Sequence, residues 1–175
     1  MSYIYALPWF AKSSNVAARE VLGGWSISGV TVAEKGVPLT VTDSINTIGL
    51  GCCYTNRPNR VSKVSYPKTK AAWFSTSSYA DPTAPWNGGP NQGFGNAGKD
   101  SAVGPGIFNW NLSLFKAIPL SPGEGPRIEL RFESFNTFNH TSIQGVDTGF
   151  HDGNFGAVVN DYGPRTMEFG GKLVF

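Results

Sequence analysis

The residues of this sequence whose types could do chemistry are concentrated between positions 140 and 161. The histidines and oxygen-bearing side chains of this stretch are His140, Asp147, His151, Asp152, Asn154 and Asp161. Oxygen ligands in a flexible, glycine-containing segment are what Ca²⁺ prefers. One interpretation is therefore a divalent cation site with Asp147, Asp152, Asn154 and Asp161 as ligands. The other interpretation is a solvated loop. It is favoured because acidic residues in external loops are usually just solvated.

A bound cation at this place would have a chemical use. It could polarise the carbonyl of an ester or lactone, or it could lower the pKa of a bound water molecule. His151 stands next to Asp152, and this pair could act as a general base. The spacing of the acidic residues is not that of an EF-hand loop. A Ca²⁺-dependent hydrolase of small esters or lactones is thus one hypothesis for function.

Other short motifs do not carry a standard catalytic pattern. The stretch GFGNAGKD, 93–100, has nucleotide-loop spacing but lies between Pro90 and Pro105, whereas a nucleotide loop needs a strand before it and a helix after it. Ser113 and Lys116 have the S-x-x-K spacing, but on a strand these positions point to opposite faces. Whether the protein is an enzyme stays open at this point.

Composition narrows the class of protein. Only 15% of the 175 residues are charged, 13% are aromatic, and there are 22 glycines and 12 prolines, which is typical of a turn-rich β-protein. The net charge of +2, without basic clusters, gives no reason to expect a nucleic-acid partner. No apolar run is long enough for a transmembrane helix, and the N-terminus lacks the features of a secretory signal. The adjacent Cys52 and Cys53 are expected to be unpaired loop thiols, with a strained vicinal bridge or an intermolecular bridge as the alternatives.

The elements that must position these residues are strands, because apolar and polar residues alternate along several segments. Six segments alternate clearly, and a seventh does so more weakly. The predicted strands are Tyr3–Trp9, Trp25–Glu34, Val37–Thr42, Ile107–Ile118, Arg127–Phe135, Thr166–Phe175 and, more weakly, Phe155–Asn160.

Two of these strands have faces of clearly different polarity. On the final strand Phe169, Leu173 and Phe175 share an apolar face with Met167. The opposite face of the last two main strands carries the charges, and in a barrel it would line the lumen. The predicted lumen-facing residues are Arg127, Glu129, Arg131, Glu133, Glu168 and Lys172.

The connections between strands differ in length. Lys35–Gly36 and the stretch 119–126 are short and predict hairpin turns, whereas 10–24, 43–106 and 139–164 are long. If consecutive strands are antiparallel, the short turns lie at one end and the long loops at the other, which would place Lys35 beside the 119–126 turn. Outer-membrane barrels show this asymmetry. A soluble sandwich is the alternative, and loop asymmetry together with aromatic residues near strand ends favours the barrel.

Several stretches resemble the C-terminal barrel portion of Oar-like TonB-dependent outer-membrane receptors. They are GWSISGVTVAEKGVPLTV, NRPNRV, FGNAGKDSAVGPGIFNWNLSLFKAIPL, LRFESFNTFNH and GGKLVF. The resemblance implies a wall segment of a barrel of about 22 strands, located in the bacterial outer membrane. It also implies that Phe169, Leu173 and Phe175 form a signal for the barrel-assembly machinery. The family's plug, energy-coupling box and signal peptide are not found in this sequence.

The sequence therefore predicts an all-β fold, an antiparallel up-and-down barrel or porin-like barrel segment of about six to eight strands. Residues 1–175 are expected to form one domain, with 43–106 as a long inserted loop. Expected partners are outer-membrane lipid, the assembly machinery and a second copy that closes the sheet edges. The expected function is solute passage or surface binding. The alternative is the Ca²⁺-dependent hydrolase.

Overall fold

The computed structural model describes residues 1–10, 12–43, 45, 55–82, 93–121 and 125–175. The strands are β1 (Ser2–Ala6), β2 (Trp25–Glu34), β3 (Pro38–Leu39), β4 (Asn59–Arg60), β5 (Tyr79–Ala80), β6 (Ala102–Val103), β7 (Ile107–Pro119), β8 (Arg127–Phe135), β9 (Ile143–Val146), β10 (Val158–Asp161) and β11 (Thr166–Val174). One α-helix, α1 (Val16–Leu22), and a short 3₁₀ helix, Thr76–Ser78, complete the elements of the described residues. The predicted all-β class is confirmed. Cys52 and Cys53 lie outside the described residues.

The chain forms two compact units. The first consists of residues 1–33, 108–141 and 163–175, and the second of 34–107 and 142–162. The predicted insertion 43–106 falls within the second unit. None of the helices in the described ranges is long and apolar enough to cross a membrane.

The first unit is built on a five-stranded sheet with the order β1-β2-β7-β8-β11. β1 pairs antiparallel with β2, β7 with β8, and β8 with β11. The Ser26 hydroxyl lies 3.5 Å from the Phe115 carbonyl oxygen, and Gly29 lies against the Leu112 side chain. From the first contact to the second the residue number rises along β2 and falls along β7, so this pair is antiparallel as well. The result is an up-and-down sheet with β1 and β11 at its edges.

The connections of this sheet differ in length according to the end from which they leave. The connections 7–24 and 119–126 leave from one end of the strands, and the longer segments 35–106 and 136–165 leave from the other. The two longest connections therefore share one end, as predicted. The 7–24 connection, predicted to be on the long side, joins the short turn instead.

The predicted hairpin at Lys35–Gly36 is wrong. β3 pairs with β6, not with β2. The Gly104 N–H donates to the Val37 carbonyl at 2.7 Å, and a Cβ on Gly36 would lie 1.8 Å from the Gly104 carbonyl oxygen. Only glycine permits this close backbone approach. The chain thus leaves β2 at the end opposite the 119–126 turn, and the predicted placement of Lys35 beside that turn is wrong too.

Helix α1 occupies the 7–24 connection, where the sequence predicts a loop. Asn15 caps its start, because the Asn15 side chain accepts a hydrogen bond from the Ala18 N–H at 3.2 Å. The helix ends at Gly23, whose N–H donates to the Arg19 carbonyl at 3.0 Å. A Cβ at Gly23 would lie 2.5 Å from that carbonyl oxygen, so glycine is needed there.

The second unit holds a hydrophobic core. Its buried apolar residues are Val41, Val64, Phe74, Tyr79, Ala97 and Ala102. The rings of Phe74, Tyr79 and Phe155 meet edge to face with centroids 5.5–6.0 Å apart, a geometry that aromatic rings prefer. Burial raises the pKa of the Tyr79 hydroxyl, which forms a 3.0 Å hydrogen bond with the Ser101 hydroxyl. This unit is therefore held together by a buried apolar core.

Candidate functional site

The charged face of the sheet is formed by β8 and β11. In their register Glu129 lies opposite Lys172, and Glu133 lies opposite Glu168. Directly paired residues of antiparallel strands share a face. The six charged residues predicted from the sequence therefore lie on one side of the sheet, namely Arg127, Glu129, Arg131, Glu133, Glu168 and Lys172. That this side lines a closed lumen stays a prediction.

Ion pairs run along β8 on this face. Arg127 Nε lies 2.8 Å from Glu129 Oε1, and Arg131 Nη1 lies 4.0 Å from Glu133 Oε1. Exposed pairs of this kind contribute about 0–1 kcal/mol each. Their main effect is to present alternating charges along one strand.

Two concavities lie on the same face. The larger has a volume of 680 Å³, and its polar lining includes Ser28, Asn111, Ser113 and Glu133. The smaller has a volume of 340 Å³ and is lined by Phe115, Glu129, Arg131, Gly170, Gly171 and Lys172. Both concavities also have apolar lining, which includes Ile4, Val30 and Phe135 in the larger and Phe115 in the smaller.

The opposite face of the sheet is apolar and exposed. Phe132 lies opposite both Leu114 and Phe169, and Ile128 lies opposite Leu173. The exposed fractions are 40% for Phe132, 74% for Phe169 and 48% for Leu173. A soluble protein rarely leaves so large an apolar patch uncovered. Two of the three residues predicted as an assembly signal, Phe169 and Leu173, lie on this face.

Aromatic residues mark both ends of the sheet. At the end from which the long connections leave, the Trp110 ring lies 6.2 Å from the Phe108 ring and 5.3 Å from the Phe138 ring. At the other end Phe175 follows β11 and is 95% exposed. Aromatic residues at the two water interfaces are typical of membrane proteins.

The residues predicted as cation ligands lie in the second unit. The Gly149 N–H donates to Asp147 Oδ1 at 2.8 Å, and the Asp152 carboxylate lies beside the same glycine. Asn154 accepts the Ala157 N–H through its main-chain carbonyl at 2.8 Å. Asp161 pairs with Ile143 in the β9–β10 ladder. The carboxylates of Asp147 and Asp152 thus both lie beside Gly149, and the set of four ligands stays a prediction.

His151 has carboxylate neighbours other than Asp152. Its Nε2 lies 2.9 Å from Asp81 Oδ1 and 3.6 Å from Asp43 Oδ1. In each of these three residues one donor atom lies within 4.8 Å of the donor atoms of the other two. Sequence reasoning missed Asp43 and Asp81 because both are far from His151 along the chain. No local spacing could have revealed them.

One comparison with known proteins identifies a family. A family model described as "Outer membrane beta barrel domain" matches residues 1–168. No curated protein and no solved structure matches the chain.

Proposed function

The chain belongs to the family of outer-membrane β-barrel domains, and on that basis we propose that its sheet is a section of a barrel wall that passes solutes or binds them at the cell surface. The protein is located in the bacterial outer membrane. The lipid faces the apolar side of the sheet in this proposal, and the solutes meet the charged side.

The contrast between the two units is the observation that carries the proposal. Within the described ranges, the buried apolar side chains belong to the second unit. The sheet of the first unit instead exposes Phe132, Met167, Phe169 and Leu173 on one face. One sequence thus builds a water-excluding core in one unit and leaves most of one sheet face uncovered in the other. Lipid is the solvent that suits such a face.

The proposal extends to a receptor of the TonB-dependent kind. The FGNAG and GPG-FNW-LSLFK stretches, which carry the resemblance, include the start of β7. In this reading the two long connections are on the outer side of the membrane, where they bind solutes. The connections 7–24 and 119–126 are then on the periplasmic side.

Closure of the wall requires partners at both sheet edges. β1 and β11 each pair with one neighbour only in the described sheet, and unpaired edges are unfavourable in lipid. We propose that a second copy of the chain pairs with these edges, and that the barrel-assembly machinery inserts the strands. Phe169, Leu173 and Phe175 are the residues that this machinery would recognise.

Detergent dependence tests the proposal. The chain, expressed behind a supplied signal peptide, is expected to appear in the outer-membrane fraction and to leave it only with detergent. Barrel proteins keep their sheet in cold detergent, so the unheated sample should migrate differently from the boiled one on a gel. A monomer that stays soluble and folded without detergent, shown by mass measurement, would contradict the barrel wall.

The second candidate function is the hydrolase, favoured by the Asp147 and Asp152 carboxylates, which both lie beside Gly149. If this loop holds Ca²⁺ for ester or lactone hydrolysis, with His151 and Asp152 as the general base, excess chelator should abolish activity and Ca²⁺ should restore it. Asp152→Ala should reduce the rate at least about 100-fold. Asp100→Asn, a change outside this loop, is the control. Hydrolysis that persists in chelator would exclude the metal-assisted mechanism.

A further inference from the structure

Three side chains from distant parts of the sequence converge in the second unit. His151 Nε2 lies 2.9 Å from Asp81 Oδ1 and 3.6 Å from Asp43 Oδ1. These contacts could belong to a simple hydrogen-bonded histidine with two acidic neighbours. The burial of Asp43 and its unpaired carboxylate oxygen indicate a further ligand.

Asp43 is a buried carboxylate with one unsatisfied oxygen. Its side chain is 0% exposed. Oδ1 accepts the Ile45 N–H at 3.0 Å, whereas Oδ2 has no hydrogen-bond partner. Buried polar atoms are nearly always paired, and a buried charged atom without a partner is costly. A cation beside this carboxylate would satisfy it.

The spacing of the donor atoms fits one small cation. Zinc bonds to histidine nitrogen and carboxylate oxygen are about 2.0–2.2 Å long, which makes the edge of a tetrahedral zinc site roughly 3.3–3.5 Å. The distances from His151 Nε2 to the two carboxylate oxygens, 2.9 and 3.6 Å, lie on either side of this value. One ion could therefore contact all three side chains after shifts of a few tenths of an ångström.

The backbone holds Asp43 and His151 next to each other independently of any ion. Thr42 forms a β-bridge with Gly149, and Asp43 forms one with Asn56. The Phe150 N–H donates to the Thr42 carbonyl at 2.8 Å, and the Asp43 N–H donates to the Asn56 carbonyl at 2.8 Å. A site whose ligands are fixed in advance loses little conformational entropy on binding.

We propose that Asp43, Asp81 and His151 bind a divalent transition-metal cation, with Zn²⁺ as the best fit. The imidazole nitrogen selects against Ca²⁺ and Mg²⁺, which take oxygen ligands. The Asp81 side chain is 67% exposed and that of His151 is 28% exposed, so water or a solute can supply the remaining ligand. The site differs from the predicted Ca²⁺ ligands and does not depend on solute passage.

Zinc titration of the full-length folded protein in detergent tests this site. The tag is removed, the protein is treated with chelator, and ZnCl₂ binding is followed by calorimetry. One ion per chain is expected. Asp43→Asn and His151→Gln should each weaken binding at least about tenfold. Co²⁺ should give the intense visible absorption of a four-coordinate site, and His151→Gln should change that spectrum.

Two matched variants separate this site from its neighbours. Asp152→Asn and His140→Gln alter a carboxylate and a histidine outside the group of three, and both are expected to leave Zn²⁺ affinity unchanged. His151 is partly exposed, so His151→Gln remains informative if Asp43→Asn fails to fold. Absence of stoichiometric binding, or binding that neither Asp43→Asn nor His151→Gln weakens, would overturn the proposal. Loss of binding in Asp152→Asn alone would overturn it as well and would place the ion at Gly149.

Discussion

Phe132→Arg is expected to destabilise the folded sheet in a membrane by about 2–4 kcal/mol. Phe132 lies opposite Leu114 and Phe169 on the apolar face. An arginine on the lipid face of a barrel costs about 2–4 kcal/mol at the bilayer midplane. That cost corresponds to a decrease of about 30-fold or more in the folded-to-unfolded ratio. Urea unfolding of protein refolded into lipid vesicles measures the change directly.

The chain offers controls with the same change on the other face. Phe135 lies opposite Thr166, lines the larger concavity of the charged face and is 43% exposed, close to the 40% of Phe132. Phe135→Arg should therefore cost less than about 1 kcal/mol. Ser113→Arg is the control for membrane depth, because Ser113 adjoins Leu114 on β7. Equal losses for Phe132→Arg and Phe135→Arg would contradict the assignment of the Phe132 face alone to lipid.

The main strands could be predicted because their signal is local. β7, β8 and β11 each alternate between apolar and polar residues over about nine positions or more, and this period fixes the face of every side chain. This period alone predicts that Arg131 and Phe132 lie on opposite faces. The β8–β11 register then places Glu129 opposite Lys172.

Long-range pairing could not be predicted in the same way. β3 and β6 are two residues long each, too short for any period to be visible. Their pairing depends on backbone contacts between Gly36 and Gly104, which a sequence does not display. The approach of Asp43 to His151 depends in turn on an isolated bridge between Thr42 and Gly149. From the sequence alone, a cation site can therefore be predicted only from residues that are neighbours along the chain.

Lys116 is the exception to alternation on the apolar face. It pairs with Leu130, yet it is only 3% exposed. Its Nζ donates to the carbonyls of Glu20, Val21 and Gly23 at 2.5, 3.0 and 2.6 Å. These carbonyls are at the C-terminal end of α1, where helix carbonyls lack partners and the helix dipole favours a cation. Lys116 thus holds the C-terminal end of α1, in the 7–24 connection, against β7.

Lys116→Met is expected to lower the free energy of unfolding by about 3 kcal/mol. Methionine keeps most of the apolar chain of lysine but donates no hydrogen bond, so three carbonyls lose a charged donor. The contact between Nζ and the Trp25 ring, 5.4 Å from the ring centroid, is lost as well. Urea unfolding should show the loss of stability. Trypsin should then cleave the folded protein faster after Arg19, which lies in α1.

Lys172→Met is the matched control, since Lys172 is an exposed lysine on the charged face. It removes the same positive charge but no hydrogen bond to α1, so a change of less than about 0.5 kcal/mol is expected. If only the change in net charge mattered, the two variants would lose the same amount of stability. If Lys116→Met matches Lys172→Met in stability and in cleavage after Arg19, the lysine does not hold the helix end. The Glu20 and Gly23 carbonyls would then have to find water as their partner, and α1 would be held to the sheet by the Trp25 Nε1 hydrogen bond to the Val21 carbonyl at 3.2 Å.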